Sequence, residues 1–187
     1  HRPRRRRMVA TFNHIPAIQE SEHADLVAIC DLDVDRLAEV GGRFSIPNQY
    51  RDLGGMLEAE KLDGLIVSTP HVAHRDPAIL GLKAGCHVMV EKPLATAAGD
   101  GWAVANAARD AGKQVLVPTG MNFEWFSRKA ADWVREGRIG EVRHAGCQMG
   151  SALSDLFAGE PMIETTDHMY RPPASTWADP ERAGGYG

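Results

Sequence analysis

The sequence predicts an α/β fold built on a doubly wound parallel sheet. Four short apolar runs, rich in β-branched residues, recur along the first 118 residues, as buried strands do. Between them lie longer stretches of helical periodicity, and strands alternating with helices make a parallel sheet covered by helices. After Gly120 that rhythm stops. A domain boundary is therefore expected near residue 119, giving one unit over 1–118 and the beginning of another over 119–187.

The elements are taken in chain order. "MVATFNHIPAIQES" (8–21) reads as a helix with a bend near Pro16, because proline lacks an N–H and crowds the preceding turn. "LVAIC" (26–30) is the first strand. "VDRLAEVGGRF" (34–44) and "DLGGMLEAEK" (52–61) are helices. "GLIVS" (64–68) is the second strand. "RDPAILGLKAG" (75–85) is a helix with Gly85 placed as its C-terminal cap, where a left-handed residue is common. "HVMV" (87–90) is the third strand. "ATAAGDGWAVANAARDAG" (95–112) is a helix ending on Gly112 in the same way, and "QVLVP" (114–118) is the fourth strand. Each run is almost continuously apolar, which predicts strands buried on both faces.

Beyond Gly120, "EWFSRKAADWVREGRIG" (124–140) reads as an amphipathic helix closed by Gly137, with Trp133, Val134 and Ile139 on one side. "EVRHAGCQMGS" (141–151) alternates like a half-exposed strand. The rest is rich in Pro and Gly and has no clear period.

The chain has 187 residues, 43% of them hydrophobic, enough for one domain with a core and part of another. No apolar run approaches the roughly 20 residues of a membrane helix, so no membrane partner is expected. The first residues carry charge without the apolar stretch of a signal peptide. Cys30, Cys86 and Cys147 are odd in number and lack metal-ligand spacing; the expectation is a reducing, cytoplasmic setting and no metal site. Five of the first seven residues are arginine, yet the formal net charge is −4. A basic run attracts phosphates, but the remaining chain is acidic and shows no recognition module, so no nucleic-acid partner is expected. The start at His1 and the end on "AGGYG" suggest a fragment of a longer chain.

The candidate chemistry sits where strands end. Open α/β sheets bind ligands beyond the carboxyl ends of their strands. Asp31 directly follows the first strand. An acidic residue there accepts hydrogen bonds from an adenosine ribose and repels a 2′-phosphate, which favours NAD over NADP. Leu32 adds no arginine for that phosphate. The alternative for Asp31 is a helix cap. "STPHVAH" follows the second strand, and Ser68, Thr69, Pro70, His71 and His74 are candidates to line a cofactor; the alternative is a helix start capped by histidines. Two histidines three apart with no third ligand argue against a metal. Glu91, Lys92 and Pro93 end the third strand at the same edge. The Lys92 amine there would take a proton from a substrate hydroxyl or return one to a carbonyl. A lone Glu-Lys-Pro is otherwise an ordinary surface pair before a loop proline.

The stretch "STPHVAHRDPAILGLKAGCHVMVEKPLA" (68–95) resembles the signature of the Gfo/Idh/MocA family of glucose–fructose oxidoreductases and inositol dehydrogenases. "REGRIGEV" (135–142) and "WADPERAGGYG" (177–187) are similar to two further stretches of that family. The resemblance implies a Rossmann-like domain, here lacking its first strand, and the start of a truncated C-terminal α/β domain. It implies NAD(P)-dependent hydride transfer to or from a sugar, inositol or related polyol. Lys92 matches the family's catalytic lysine. Glu91, Thr69 and Pro70 match positions bordering the nicotinamide and its ribose, and Asp31 matches the adenosine-ribose position. The Lys92–Pro93 bond is expected to be cis. A homo-oligomer is expected for the full-length protein.

The chain departs from the pattern at both ends. The family's glycine-rich phosphate loop is replaced by "HRPRRRR", which cannot form a tight glycine turn. That segment is read as a basic stub. The family's downstream Asp and His lie past the last residue, and Asp167–His168 in "TTDHMYR" are read as loop residues. "GMNFEWF" (120–126) lacks the arginine many members carry. Two other readings therefore stand beside a dehydrogenase: a non-catalytic nucleotide-binding protein, and an NAD-dependent glycosidase of the same family.

Overall fold

The structure, a computed structural model, describes residues 10–146 and 148. It is a set of parallel strands with helices against them. A π-helical turn (Ala10–His14) runs straight into α1 (Ile15–Gln19), with Pro16 in its first turn. A proline is tolerated there because first-turn N–H groups have no helical acceptor. Strands β1 (Ala28–Cys30) and β2 (Asn48–Tyr50) pair in parallel, Ala28 opposite Asn48. Strands β3 (Gly64–Val67), β4 (His87–Val90) and β5 (Val115–Leu116) form a second parallel group in the order β3-β4-β5. Among the described residues β1 and β3 share no ladder.

Connecting helices cross over as parallel strands require. Helix α2 (Val34–Phe44) joins β1 to β2, and Asp33 caps it by accepting from the Arg36 N–H at 3.1 Å. Helix α3 (Leu53–Ala59) joins β2 to β3, capped by Asp52, which accepts from the Gly55 N–H at 2.6 Å. Helix α4 (Arg75–Lys83) joins β3 to β4, and α5 (Ala98–Ala111) joins β4 to β5. Gly85 and Gly112 have φ of 91° and 63° past the ends of α4 and α5, conformations that glycine adopts without a steric penalty.

The main core lies between α4, α5 and the three-stranded group. Val67, Ala78, Leu82, Cys86, Val88, Val90, Val104 and Ala108 form it. Gly81 lets α4 approach the sheet: a Cβ there would lie 2.6 Å from Leu65 Cδ2 and 3.3 Å from Val88 Cγ2.

Several expectations are corrected. β2 was not expected; its three residues are Asn-Gln-Tyr, and they carry no apolar signal. β1 and β5 are shorter than their apolar runs, because a ladder extends only where a neighbour supplies partners. Nor are the strands buried on both faces. On β4, Val88 and Val90 are buried while His87 is exposed. On β3 only Val67 is buried. Beyond the sheet, α6 (Trp125–Arg135) forms as expected and Gly137 comes after it with φ 69°. Its apolar side is not covered by the described residues: Trp133, Val134 and Ile139 are all exposed. The strand expected over 141–151 is not formed by residues 141–146, where no neighbouring strand among the described residues offers hydrogen bonds. Cys147 and the arginine run lie outside the described residues, as do "TTDHMYR" and "WADPERAGGYG".

Candidate functional site

The carboxyl ends of β1, β3 and β4 carry the candidate residues. At β1 the Asp31 N–H donates to Tyr50 O across the ladder at 3.1 Å. The Asp31 carboxylate accepts from the Asp33 N–H at 2.9 Å, and the Arg36 guanidinium lies 3.0 Å from Oδ2 and 3.2 Å from Oδ1. The helix cap is Asp33, so the capping alternative for Asp31 does not hold. Arg36 also donates to Asp33 Oδ2 at 2.9 Å. The backbone N–H and guanidinium of Arg36 hold the Asp33 carboxyl below its usual value. Sequence reasoning looked for an arginine directly after Asp31 and missed Arg36, which reaches back from the first turn of α2.

At β3, Ser68 Oγ is shielded from solvent and makes no hydrogen bond among the described residues. A buried hydroxyl in that state is suited to meet an incoming polar group. The Thr69 hydroxyl donates to Ala73 O at 2.9 Å and closes the turn that holds Pro70 and the 3₁₀ segment His71–Ala73. Burial first, then the neighbouring His74 and Lys92, pushes the His71 imidazole below its ordinary value, while Glu91 opposes this.

His74 departs from expectation. It was expected to line a ligand, and it is fully buried. Nδ1 lies 2.8 Å from Pro93 O, and Nε2 lies 2.9 Å from Thr69 O. Both ring nitrogens are committed to the protein. It sits at the start of α4 without a side-chain cap bond.

At β4, the Lys92–Pro93 bond is cis, as expected. Lys92 is exposed and Glu91 half-buried. Glu91 Oε1 lies 2.7 Å from His14 Nε2, and Glu91 Oε2 accepts from the Lys92 N–H at 3.2 Å. Both members of the His14–Glu91 pair are 15% exposed. Sequence reasoning missed His14, whose partner lies 77 residues away, beyond any local pattern.

The edge thus offers groups for a dinucleotide. Asp31 keeps acceptor capacity on Oδ2 beyond its bonds to Arg36 and Asp33. The Ser68 hydroxyl is free to bond, and Glu91 and Lys92 stand at the next strand end. Their acceptors and hydroxyl are of the kind that ribose hydroxyls and a nicotinamide amide can bond. Among the described residues no three His, Cys, Asp or Glu side chains gather to hold a metal ion, and no helix is long and apolar enough to cross a membrane.

Residues 8–119 match the family described as "Oxidoreductase family, NAD-binding Rossmann fold". The chain is 32% identical over 151 residues to a D-apiose dehydrogenase of Paraburkholderia graminis, covering 81% of this chain and 40% of that protein. It is 32% identical over 120 residues to D-xylose 1-dehydrogenase (NADP(+)) 2 of Haloferax volcanii, covering 64% and 37%. Among solved structures it is similar to the WlbA dehydrogenase from Bordetella pertussis in complex with NADH and UDP-GlcNAcA. That match has a TM-score of 0.64 and 31% identity, over 70% of this chain and 40% of that one. The chain spans about two fifths of the length of the curated relatives it matches.

Proposed function

Since the chain belongs to the oxidoreductase family with an NAD-binding Rossmann fold, we propose that its protein oxidises a sugar, inositol or related polyol by hydride transfer. The observation that carries this is the exposed Lys92 directly after β4, beside the strand end of β3 that bears Ser68, with Asp31 at the end of β1 in the other hydrogen-bonded group. NAD, when bound, would supply the hydride acceptor for the carbinol carbon of the substrate. The Lys92 amine would accept the hydroxyl proton as the carbonyl forms and return it in the reverse reaction. Glu91 fixes the Lys92 backbone through its bond to the N–H and borders the nicotinamide together with Thr69, Pro70 and His71. Ser68 hydrogen-bonds the cofactor, and Asp31 accepts from the adenosine ribose. NAD is the preferred cofactor because the Asp31 carboxylate repels a 2′-phosphate. The chain divides near residue 119, where the family match ends, and residues 119–187 belong to a unit that serves substrate binding and assembly of the full-length protein into a homo-oligomer.

The test starts with calorimetric titration of NADH and NADPH, then a sugar screen opening with D-apiose and D-xylose. Tighter NADH binding and turnover of one sugar or polyol are expected. Lys92→Ala should lower kcat by roughly 10²–10⁴ and leave NADH affinity within a few-fold. A Lys92→Ala enzyme with normal turnover would sink the proton-transfer role. NADH binding with no turnover of any polyol would favour the non-catalytic reading.

A further inference from the structure

The turn after β3 and the turn after β4 meet at one buried side chain. His74 Nδ1 faces Pro93 O at 2.8 Å, and Nε2 faces Thr69 O at 2.9 Å. Carbonyl oxygens only accept. A neutral imidazole carries a single N–H and so satisfies one of them. The other would face a bare ring nitrogen in a fully buried place, with no solvent to relieve the lone-pair contact. Only the doubly protonated ring donates to both.

We propose that His74 is a positioning residue, an imidazolium clamp that donates to both carbonyls and fixes the Thr69 turn against the Lys92–Pro93 turn. This rests on the reading of those turns as the cofactor's nicotinamide side. Thr69 O belongs to the segment bearing Ser68 and His71, and Pro93 O comes directly after Lys92. One side chain thus sets the separation of the cofactor wall from the proton-transfer amine. Displacements of about 1 Å in such geometry are costly to function. The charged or titratable groups around the clamp include His71, whose ring centroid is 5.8 Å away, Glu91 and Lys92 of the second turn, and, next along α4, Arg75, which pairs with Asp76 and with Asp100 of α5. Glu91 supplies the negative charge of the second turn, itself held by His14.

The first test needs no turnover. Nitrogen-15 NMR of the intact protein, labelled at histidine, counts protons on the His74 ring. Two proton-bearing nitrogens, each coupled to a carbonyl carbon, are expected. A single ring proton would overturn the clamp. The second test is His74→Gln, whose two N–H donors share one nitrogen and so cannot take the places of both ring nitrogens. The backbone amide signals of Ala73 and Lys92 should both shift, and the NADH Kd should rise about tenfold. A folded variant whose Lys92 amide stays in place and whose NADH Kd is unchanged would also overturn it. If the variant does not fold, the ring-proton count of the unaltered protein decides. Absence of NADH binding by the unaltered protein would refute the cofactor reading, and the ring-proton count would still decide the clamp separately.

Discussion

Arg36 lies 3.0 Å from the Asp31 carboxylate and offsets the charge that should turn away a 2′-phosphate. The pair is partly solvated, so its worth is modest. Arg36→Ala leaves that charge uncompensated, and the preference for NADH over NADPH should widen by roughly two- to fivefold. The ratio of the two dissociation constants measures it, and a narrowed ratio would mean that Arg36 chiefly holds Asp31 in the orientation that turns the phosphate away. His71 makes a second prediction. Its imidazole is pushed below the ordinary value of 6.5, first by burial and then by His74 and Lys92. The unfolded chain binds a proton near 6.5, and the folded chain resists it until lower pH. Stability from this group is therefore complete above 6.5 and declines as pH falls below it, with a slope of at most about 1.4 kcal/mol per unit. Urea midpoints of the native protein and His71→Gln, compared at neutral and mildly acidic pH, should show a flatter decline in the variant. Equal declines would assign the effect to other groups.

Helix α4 shows how one small residue governs an element. Gly81 faces Leu65 and Val88 at distances that leave no room for a larger side chain. Gly81→Val should force the helix outward or the leucine off its rotamer and cost about 1–3 kcal/mol, read from the urea midpoint; an unchanged midpoint would mean that the Leu65 side chain swings aside freely. The same helix shows what the sequence could reveal. Its apolar positions recur with helical spacing, and its end is marked by Gly85, so its existence and limits were legible. β4 was legible as an apolar run between turn signals. β2 was not, because Asn48, Gln49 and Tyr50 pair with β1 through backbone groups and carry no hydrophobic pattern to read. At the site, Asp31, Glu91 and Lys92 were legible because each comes at the end of a recognisable strand. The bonds of His14 to Glu91 and of His74 to Pro93 were not, since contacts across 77 and 19 residues arise only when the elements meet. The burial of His74 had no sequence signal for the same reason: its alternation with exposed neighbours looks the same whether the ring faces a ligand or a carbonyl.

The described strands fall into two hydrogen-bonded groups, β1-β2 and β3-β4-β5, and the π-helical turn with α1 behind it reaches both. At one end His14 bonds Glu91 past β4; at the other, Gln19 Nε2 donates to Phe44 O at the end of α2, 2.7 Å away. With few bonds between them, the two groups need not open together, since local stability tracks local contacts. A dinucleotide held by Asp31 at one strand end and by Ser68 and Glu91 at two others would span both groups. Its binding free energy then acts on the folded state as a whole, about 2.7 kcal/mol at a free concentration one hundred times Kd. Amide exchange should slow on NADH addition at Ile29 and Cys30 in one group and at Ile66 and Met89 in the other, and by similar factors. Asp31→Ala should break that symmetry: the cofactor would still protect β3 and β4, while β1 would exchange nearly as it does without NADH. Protection confined to one group in the unaltered protein would mean the dinucleotide does not lie across the strand ends, and the roles assigned to Asp31 and Lys92 could not belong to a single bound cofactor.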